Sequence, residues 1–504
     1  MNIKLLYKIL AVLMLLPFPA FAQLDLAGVF FNEMVIQRDQ PINIWGKAAP
    51  GQRVTVSFGA ISRSGRAGKD STWMVTLPAQ KANTKPQELL VRAGNQQVAR
   101  SNILVGDVWL CIGQSNMEWP MVGEAHYQEE VANSDQPLIR FFNPTYAGKN
   151  IYGTVYTDSV VQMLLPERFY QGRWQVCDSS SFRLMSAVAY YFGKEIKEQS
   201  GVPVGLINLS IGGAPLETFI DINALERSRR FSDKAKGDWL INNQLPVWVR
   251  DRGRQNVEEL AAVPADEYGK NHPYKPGFAY LSGIQPLIQM GIRGVICYQG
   301  ESNAQEMDRV EEYGALTKLM VDDYRRKWNN RRLPFYYVQL SSIDTVRYNG
   351  YLWPDFRDEQ RKMLQMIPHS GMAVCSDIGA RDNVHPTDKR TVGKRLARWA
   401  LNDIYKLESL PSGPLPIKAH WDEGQVTVTF CYVGEGLATA DSLPVRGFSL
   451  DGKVDTEASL SGNTIVIKTT TKPGWVYYGW KSFSDGNLVN SEQLPASTFR
   501  LVVR

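Results

Sequence analysis

The sequence predicts an α/β protein: a parallel sheet with helices on both faces, carried between two all-β domains. Three observations predict it. From Ile103 to about residue 411, short apolar runs alternate with amphipathic helical patterns, as in a parallel sheet covered on both sides. Residues 23–102 and 412–504 instead show short alternating runs separated by Gly, Pro, Asn and Asp, as in small β-sandwiches. The chain, at 504 residues, is too long for a single core.

Residues 1–22 carry Lys4 and Lys8, an apolar run from Ile9 to Phe18 and the small-x-small ending Ala20-Phe21-Ala22, which predicts a signal peptide and a mature chain beginning near Gln23. The apolar run is shorter than the roughly 20 residues of a membrane span, so an exported protein, periplasmic or secreted, is expected. INIWG, RVTVSFG, TWMVTLP and ELLVRAG are the strands of the N-terminal domain, a packing partner or a sugar-facing wall for the α/β domain. That domain, residues 103–411, reads as strand VWLCIG, a helix near 187–199, strand VGLINLS, strand RGVICYQG, a helix near 313–328, strand FYYVQLS, a helix near 357–366, strand AVCSD and a last helix near 391–405. An insertion at about 221–276, with an expected helix at 256–262, interrupts the alternation. QVTVTF, VRGFSL, TIVIKTT, WVYYGW and FRLVV supply the C-terminal β domain, with Asp451-Gly452 as a hairpin turn.

Composition excludes several classes of function. A hydrophobic fraction of 44%, a charged fraction of 21% and a net charge of +5 describe an ordinary globular protein with no basic footprint for nucleic acid. The five cysteines are odd in number and widely spread, and Cys111, Cys297 and Cys375 sit inside strand-like runs, which suits buried thiols better than bridges. Without a C-x-x-C or a His/Cys cluster no structural zinc is expected, and the serine chemistry set out below needs neither a metal nor a cofactor. No motif speaks to oligomeric state.

Ligands of parallel sheets bind beyond the carboxyl ends of the strands, so chemical residues should come just after strands. Four loops do: Gly113-Gln114-Ser115-Asn116, Ser210-Ile211-Gly212-Gly213, Gln299-Gly300-Glu301-Ser302-Asn303, and Asp382-Asn383-Val384-His385-Pro386. Together they hold what acyl transfer to water requires. A Ser hydroxyl attacks well only when a His takes its proton, and the His needs a carboxylate to fix its tautomer. Ser115, His385 and Asp382 fill these roles, with Glu301 a rival to Asp382. The N–H groups of Ser115 and Gly213 and the amide of Asn303 are candidate oxyanion donors, each able to matter by about 2.7 to 4 kcal/mol. Trp119, Met117 and Tyr298 are candidates to limit a small acyl pocket or to pack the core.

The blocks GDVWLCIGQSNMEWPM, NLSIGGAPLETF, GVICYQGESNA and DNVHPTDKRTVGKRLA resemble the sialate O-acetylesterase family, a branch of the SGNH hydrolase superfamily. The likeness extends to VFFNEMVIQRDQPINIWGKAAPGQRVTV near the start and LPVRGFSLDG near the end. It implies a three-layer α/β/α domain of flavodoxin-like type and removal of O-acetyl groups from carbohydrate. Ser115 is then the nucleophile, His385 the base and later the acid, and Asp382 its orienter. Gly213 and Asn303 match the oxyanion positions, Gly212 could replace Gly213, and Gln299 and Gln114 line the pocket. O-acetylated sialic acid is the substrate the resemblance favours; acetylated xylan or pectin is the alternative. A lysophospholipase or lipase would share the Ser/His pair but need an apolar acyl groove, and a non-catalytic carbohydrate-binding protein is favoured only by the β domains. The segment 221–276 departs from the family pattern.

Overall fold

The computed structural model describes residues 23–504; the expected signal peptide lies outside them. At its centre is a sheet of seven strands: β1 (Gln96–Gly113), β2 (Gln136–Phe142), β3 (Trp174–Cys177), β4 (Val204–Asn208), β5 (Gly294–Tyr298), β6 (Phe335–Val338) and β7 (Ser370–Ala373). Their order is β3-β2-β4-β1-β5-β6-β7. Only the edge strand β3 runs antiparallel to its neighbour; the other pairings are parallel. Every residue of β4 and β5 is buried, which is why VGLIN and GVICY read as unbroken apolar runs instead of alternating ones.

Five helices matter for the site: α1 (Ala187–Ser200), α2 (Val247–Val257), α3 (Met307–Lys327), α4 (Trp353–Met366) and α5 (Lys389–Asp403). On β6, Tyr336 donates to Asp403 of α5 at 3.0 Å, and its neighbour Tyr337 donates to the Gln360 carbonyl of α4 at 2.7 Å. Successive strand residues point to opposite faces, so α4 and α5 cover opposite sides of the sheet. Helix α1 packs on α5, and α3 packs on α4. Helix α5 starts at Asp388, whose carboxylate accepts from the Thr391 N–H, and that cap fixes where the preceding His loop must end.

The domain boundary expected at residue 102 lies within β1, an 18-residue strand that runs on from one domain into the other. Its first half pairs antiparallel with Asn83–Ala93 of the N-terminal domain, and its second half lies parallel between β4 and β5. Asn102, at φ 57°, turns the chain between the two halves, a conformation that Asn tolerates better than most residues. In the insertion, the helix expected at Asn256–Ala262 is instead α2, which begins after Pro246 and ends at Val257.

The C-terminal strands pack around their own core, including Val426, Val428, Ile465, Ile467 and Phe499. Arg357 of α4, fully buried, joins this domain to the sheet by donating to the carbonyls of Gly479, Lys481 and Ser482. All five cysteines are free thiols. No described helix is long and apolar enough to cross a membrane.

Candidate active site

The four loops gather at the carboxyl end of the sheet, and the Ser115–His385 contact forms at their meeting point. Strand β1 ends at Gly113, where φ is 138° and an added Cβ would stand 2.0 Å from the Tyr298 carbonyl oxygen of β5. Only glycine lets the two strands close there. The chain then turns into the short helix Ser115–Glu118, which holds Ser115 half-buried at the strand end.

Ser115 Oγ and His385 Nε2 are 2.7 Å apart. The imidazole lies against the Trp119 ring, with centroids 5.4 Å apart and planes inclined by 26°. Its loop is pinned twice: the Asn383 side chain accepts from the His385 N–H at 2.9 Å, and Asn116 Nδ2 donates to the Val384 carbonyl at 2.9 Å. Burial, helped by the Lys389 ammonium, pushes the His385 imidazole down to about 4. It is therefore neutral at pH 7 and able to accept the Ser115 proton.

The structure does not bring Asp382 to His385. Asp382 is exposed, and among the described residues no hydrogen bond or ion pair links the two side chains. Glu301 does not take its place. It is buried, and its Oε1 accepts from Asn116 Nδ2 at 2.5 Å, while Lys389 Nζ donates to Asn116 Oδ1 at 2.5 Å. Asn116 thus stands between a buried acid and a buried base while holding the His385 loop. Neither Asn116 nor Lys389 stands out in the sequence, because one Asn in a turn and one Lys opening a helix are ordinary there.

The oxyanion candidates separate. Gly212 spends its N–H on the Tyr146 hydroxyl at 2.9 Å, whereas the N–H groups of Gly213 and Ser115 make no hydrogen bond among the described residues. Gly213 has φ 74°, and a Cβ there would meet the Tyr274 hydroxyl at 2.3 Å. Asn303, fully buried, is turned away from the cleft: Nδ2 donates to Glu217 at 3.0 Å, and Oδ1 accepts from Leu216 N at 3.1 Å and from Gln299 at 2.8 Å. The buried Glu217–Lys234 pair leaves a second carboxylate oxygen needing a donor, and Asn303 meets that need. Gln299 is likewise buried behind the cleft, where it supports Gln114. Gln114 Oε1 accepts from Gln299 Nε2 and the Ser302 N–H, so the amide nitrogen of Gln114 is the end left to face the cleft.

The cleft itself is about 410 Å³ and is lined by Ser115, His385, Gln114, Gly213, Glu301 and Ser302 from the four loops. Trp248, Arg252 and Tyr274 reach it from the 221–276 segment, and Arg347 and Tyr348 from the loop after β6. Met117 and Tyr298 are fully buried core residues, not walls of the cleft. A second cavity, of about 440 Å³, lies between the N-terminal domain and the sheet, walled by Phe31, Trp45 and Trp174, and Ser115 and His385 do not line it. Glu124, His126 and Asp388 are grouped closely enough to hold a cation. Glu124 there already accepts from Tyr191, the His126 N–H and the His126 ring.

A parallel-sheet domain with this Ser–His pair at its carboxyl rim has the arrangement that acyl transfer through a serine requires. Comparison with known proteins gives the class of enzyme. Residues 270–402 match the family described as carbohydrate esterase, sialic acid-specific acetylesterase. The sialate O-acetylesterases of Pongo abelii and Homo sapiens are each 28% identical to this chain, over 78% of its length and 73% of theirs. The crystal structure of a carbohydrate acetylesterase from Xanthomonas citri superposes with a TM-score of 0.77 at 28% identity, covering 94% of this chain and 99% of that one. The chain is thus similar to the sialate O-acetylesterases, and it is a carboxylic ester hydrolase.

Proposed function

We infer that the protein is an exported enzyme of SGNH type that removes O-acetyl groups from sugars, O-acetylated sialic acids first among them, through an acetyl-Ser115 intermediate. The 2.7 Å contact between Ser115 Oγ and His385 Nε2, inside a cleft large enough for a monosaccharide, carries this reading. His385 takes the Ser115 proton as Oγ attacks the acetyl carbonyl. The N–H groups of Ser115 and Gly213, with the Gln114 amide in place of Asn303, receive the developing oxyanion. Collapse expels the sugar hydroxyl, which takes the proton from His385. Water, deprotonated by His385, then attacks the acetyl-enzyme, releasing acetate and restoring Ser115.

Asp382 is the orienting carboxylate in this proposal, closing on the His385 Nδ1 side once substrate fills the cleft, since catalytic hydrogen bonds often tighten only in the Michaelis complex. Asp382→Asn is expected to lower kcat at least tenfold with little change in KM; an unchanged kcat would leave Ser115 and His385 as a dyad. Export rests on the sequence of residues 1–22, and the intact mass of the mature protein checks it: a chain starting at Gln23 is expected. The activity is tested by acetate release from O-acetylated sialosides and from acetylated xylan. Faster release from xylan would move the assignment to plant polysaccharide, the second reading. Faster turnover of long-chain than of acetyl nitrophenyl esters would overturn the acetylesterase reading altogether.

A further inference from the structure

The cleft holds two arginines that acyl transfer through Ser115 does not use. Arg252 comes from α2 and Arg347 from the loop after β6, yet both line the same space as Ser115 and His385. The neighbours of Arg252 show how its state differs from theirs. On α2, Arg254 pairs with Asp251 and donates to the Leu240 carbonyl, and Arg250 donates to the Leu245 carbonyl. Asp251 is thereby taken. Among the described residues, neither Arg252 nor Arg347 lies within 4.0 Å of a carboxylate. Arg252 Nε is buried without a hydrogen-bond partner, a state that native structures seldom leave unanswered. Its guanidinium lies 5.5 Å from the centre of the Tyr152 ring, and that of Arg347 lies 5.4 Å from the centre of the Tyr348 ring, so each has an aromatic support but no anion. Among the described residues the one carboxylate lining the cleft, Glu301, is bound to Asn116 instead.

Two guanidinium groups without a carboxylate partner give the cleft a positive field; the ester and its alcohol are neutral, and the transient oxyanion is already met by the N–H groups of Ser115 and Gly213 and the Gln114 amide. The negative charge must then come from elsewhere on the substrate. Guanidinium is suited to a carboxylate, with planar donors that match its two oxygens. We propose that Arg252 and Arg347 form a carboxylate-recognition subsite and make the enzyme selective for acetylated acidic sugars, in which a carboxylate accompanies the ester. The proposal rests on the reading of the cleft as a sugar-ester site and adds the feature of the sugar that is recognised. The segment 221–276 supplies Arg252 and the loop after β6 supplies Arg347, so the subsite is assembled from two separate parts of the chain.

The test measures binding and not turnover, so it is separate from the test of the esterase activity. In the Ser115→Ala protein, calorimetric affinity is compared for O-acetylated N-acetylneuraminic acid, its methyl ester, an O-acetylated galacturonic acid and an acetylated xylobiose. The acids are expected to bind at least about tenfold more tightly than the methyl ester and the neutral sugar, as for a charge-assisted contact withheld. Adding Arg252→Gln or Arg347→Gln should reduce that ratio to less than about threefold, and Arg252→Lys should restore part of it. The ratio is internal to each variant, and Arg347 is exposed, so a folding defect from the Arg252 exchange leaves the Arg347 arm decisive. An acid-to-ester ratio near one, or a ratio unmoved by both arginine exchanges, overturns the subsite. Preference for galacturonate with no binding of the sialic acid keeps the subsite and removes the sialate assignment. Equal binding of acetylated xylobiose removes the subsite and leaves a carbohydrate esterase.

Discussion

Replacing Ser115 with Ala should lower kcat for acetate release by about 10⁴-fold or more while leaving the fold intact. The size comes from covalent catalysis: without Oγ no acetyl-enzyme forms, and His385 and the oxyanion donors retain only the smaller acceleration they give to direct attack by water. The structural tolerance comes from the site. Ser115 is half-buried, and among the described residues the only hydrogen bond of its hydroxyl is to His385, so an alanine leaves no unpaired donor in the core. His385 keeps its place because Trp119, Asn383 and Asn116 hold it and its loop without Ser115. Acetate release and urea unfolding on the same preparation check the two halves together. Unchanged release would remove Ser115 from the mechanism.

The parts of this site that are legible in the sequence share a physical cause. Ser115 comes after a strand whose burial on both faces makes its second half visible as a continuous apolar run; before His385 the sequence expects the strand at AVCSD, whereas it is Ser370–Ala373, three residues earlier. Gly213 is told from Gly212 only by the Tyr146 hydroxyl, which occupies the Gly212 N–H. Asn303 misleads for a related reason: its neighbour Glu217 is paired with Lys234 some way along the chain, and sequence adjacency does not record which amide that pair will claim. The unbroken strand β1 is hidden by its own pattern. Its first half alternates between exposed and partly buried residues and its second half is buried throughout, which reads as a change of domain although the backbone runs on. In the insertion, Gly253 weakens the helical signal of α2, yet a Cβ there would meet the Trp239 ring at 2.2 Å, so packing and not propensity fixes that residue.

Exchanging Glu301 for Gln should separate stability from catalysis and decide which carboxylate serves His385. Burial pushes the Glu301 carboxyl up to about 7, against the Asn116 hydrogen bond and the Lys389 charge, which favour its ionised form. A carboxyl whose folded value lies above its unfolded value stabilises the protein fully below the unfolded value, and that stabilisation is lost as the pH rises through the folded one. From about 4.5 to about 7 the loss is about 1.4 kcal/mol per pH unit, about 3 kcal/mol in all. Glutamine does not titrate, and its carbonyl can still accept from Asn116. The variant should therefore gain on the wild type by about 2.5 kcal/mol between pH 5 and pH 8, read by urea unfolding at both values. Lys389 limits the gain only slightly: burial, opposed by the Glu301 charge, brings its ammonium down to about 7, so at pH 8 it is already largely neutral in the folded protein. Catalysis should respond differently. Glu301 touches Asn116 and not His385, so kcat for acetate release should stay within about tenfold of the wild type. A collapse of kcat comparable to that of Ser115→Ala would make Glu301 the residue that orients His385, and a stability difference that does not change with pH would show that its carboxyl titrates as an ordinary one.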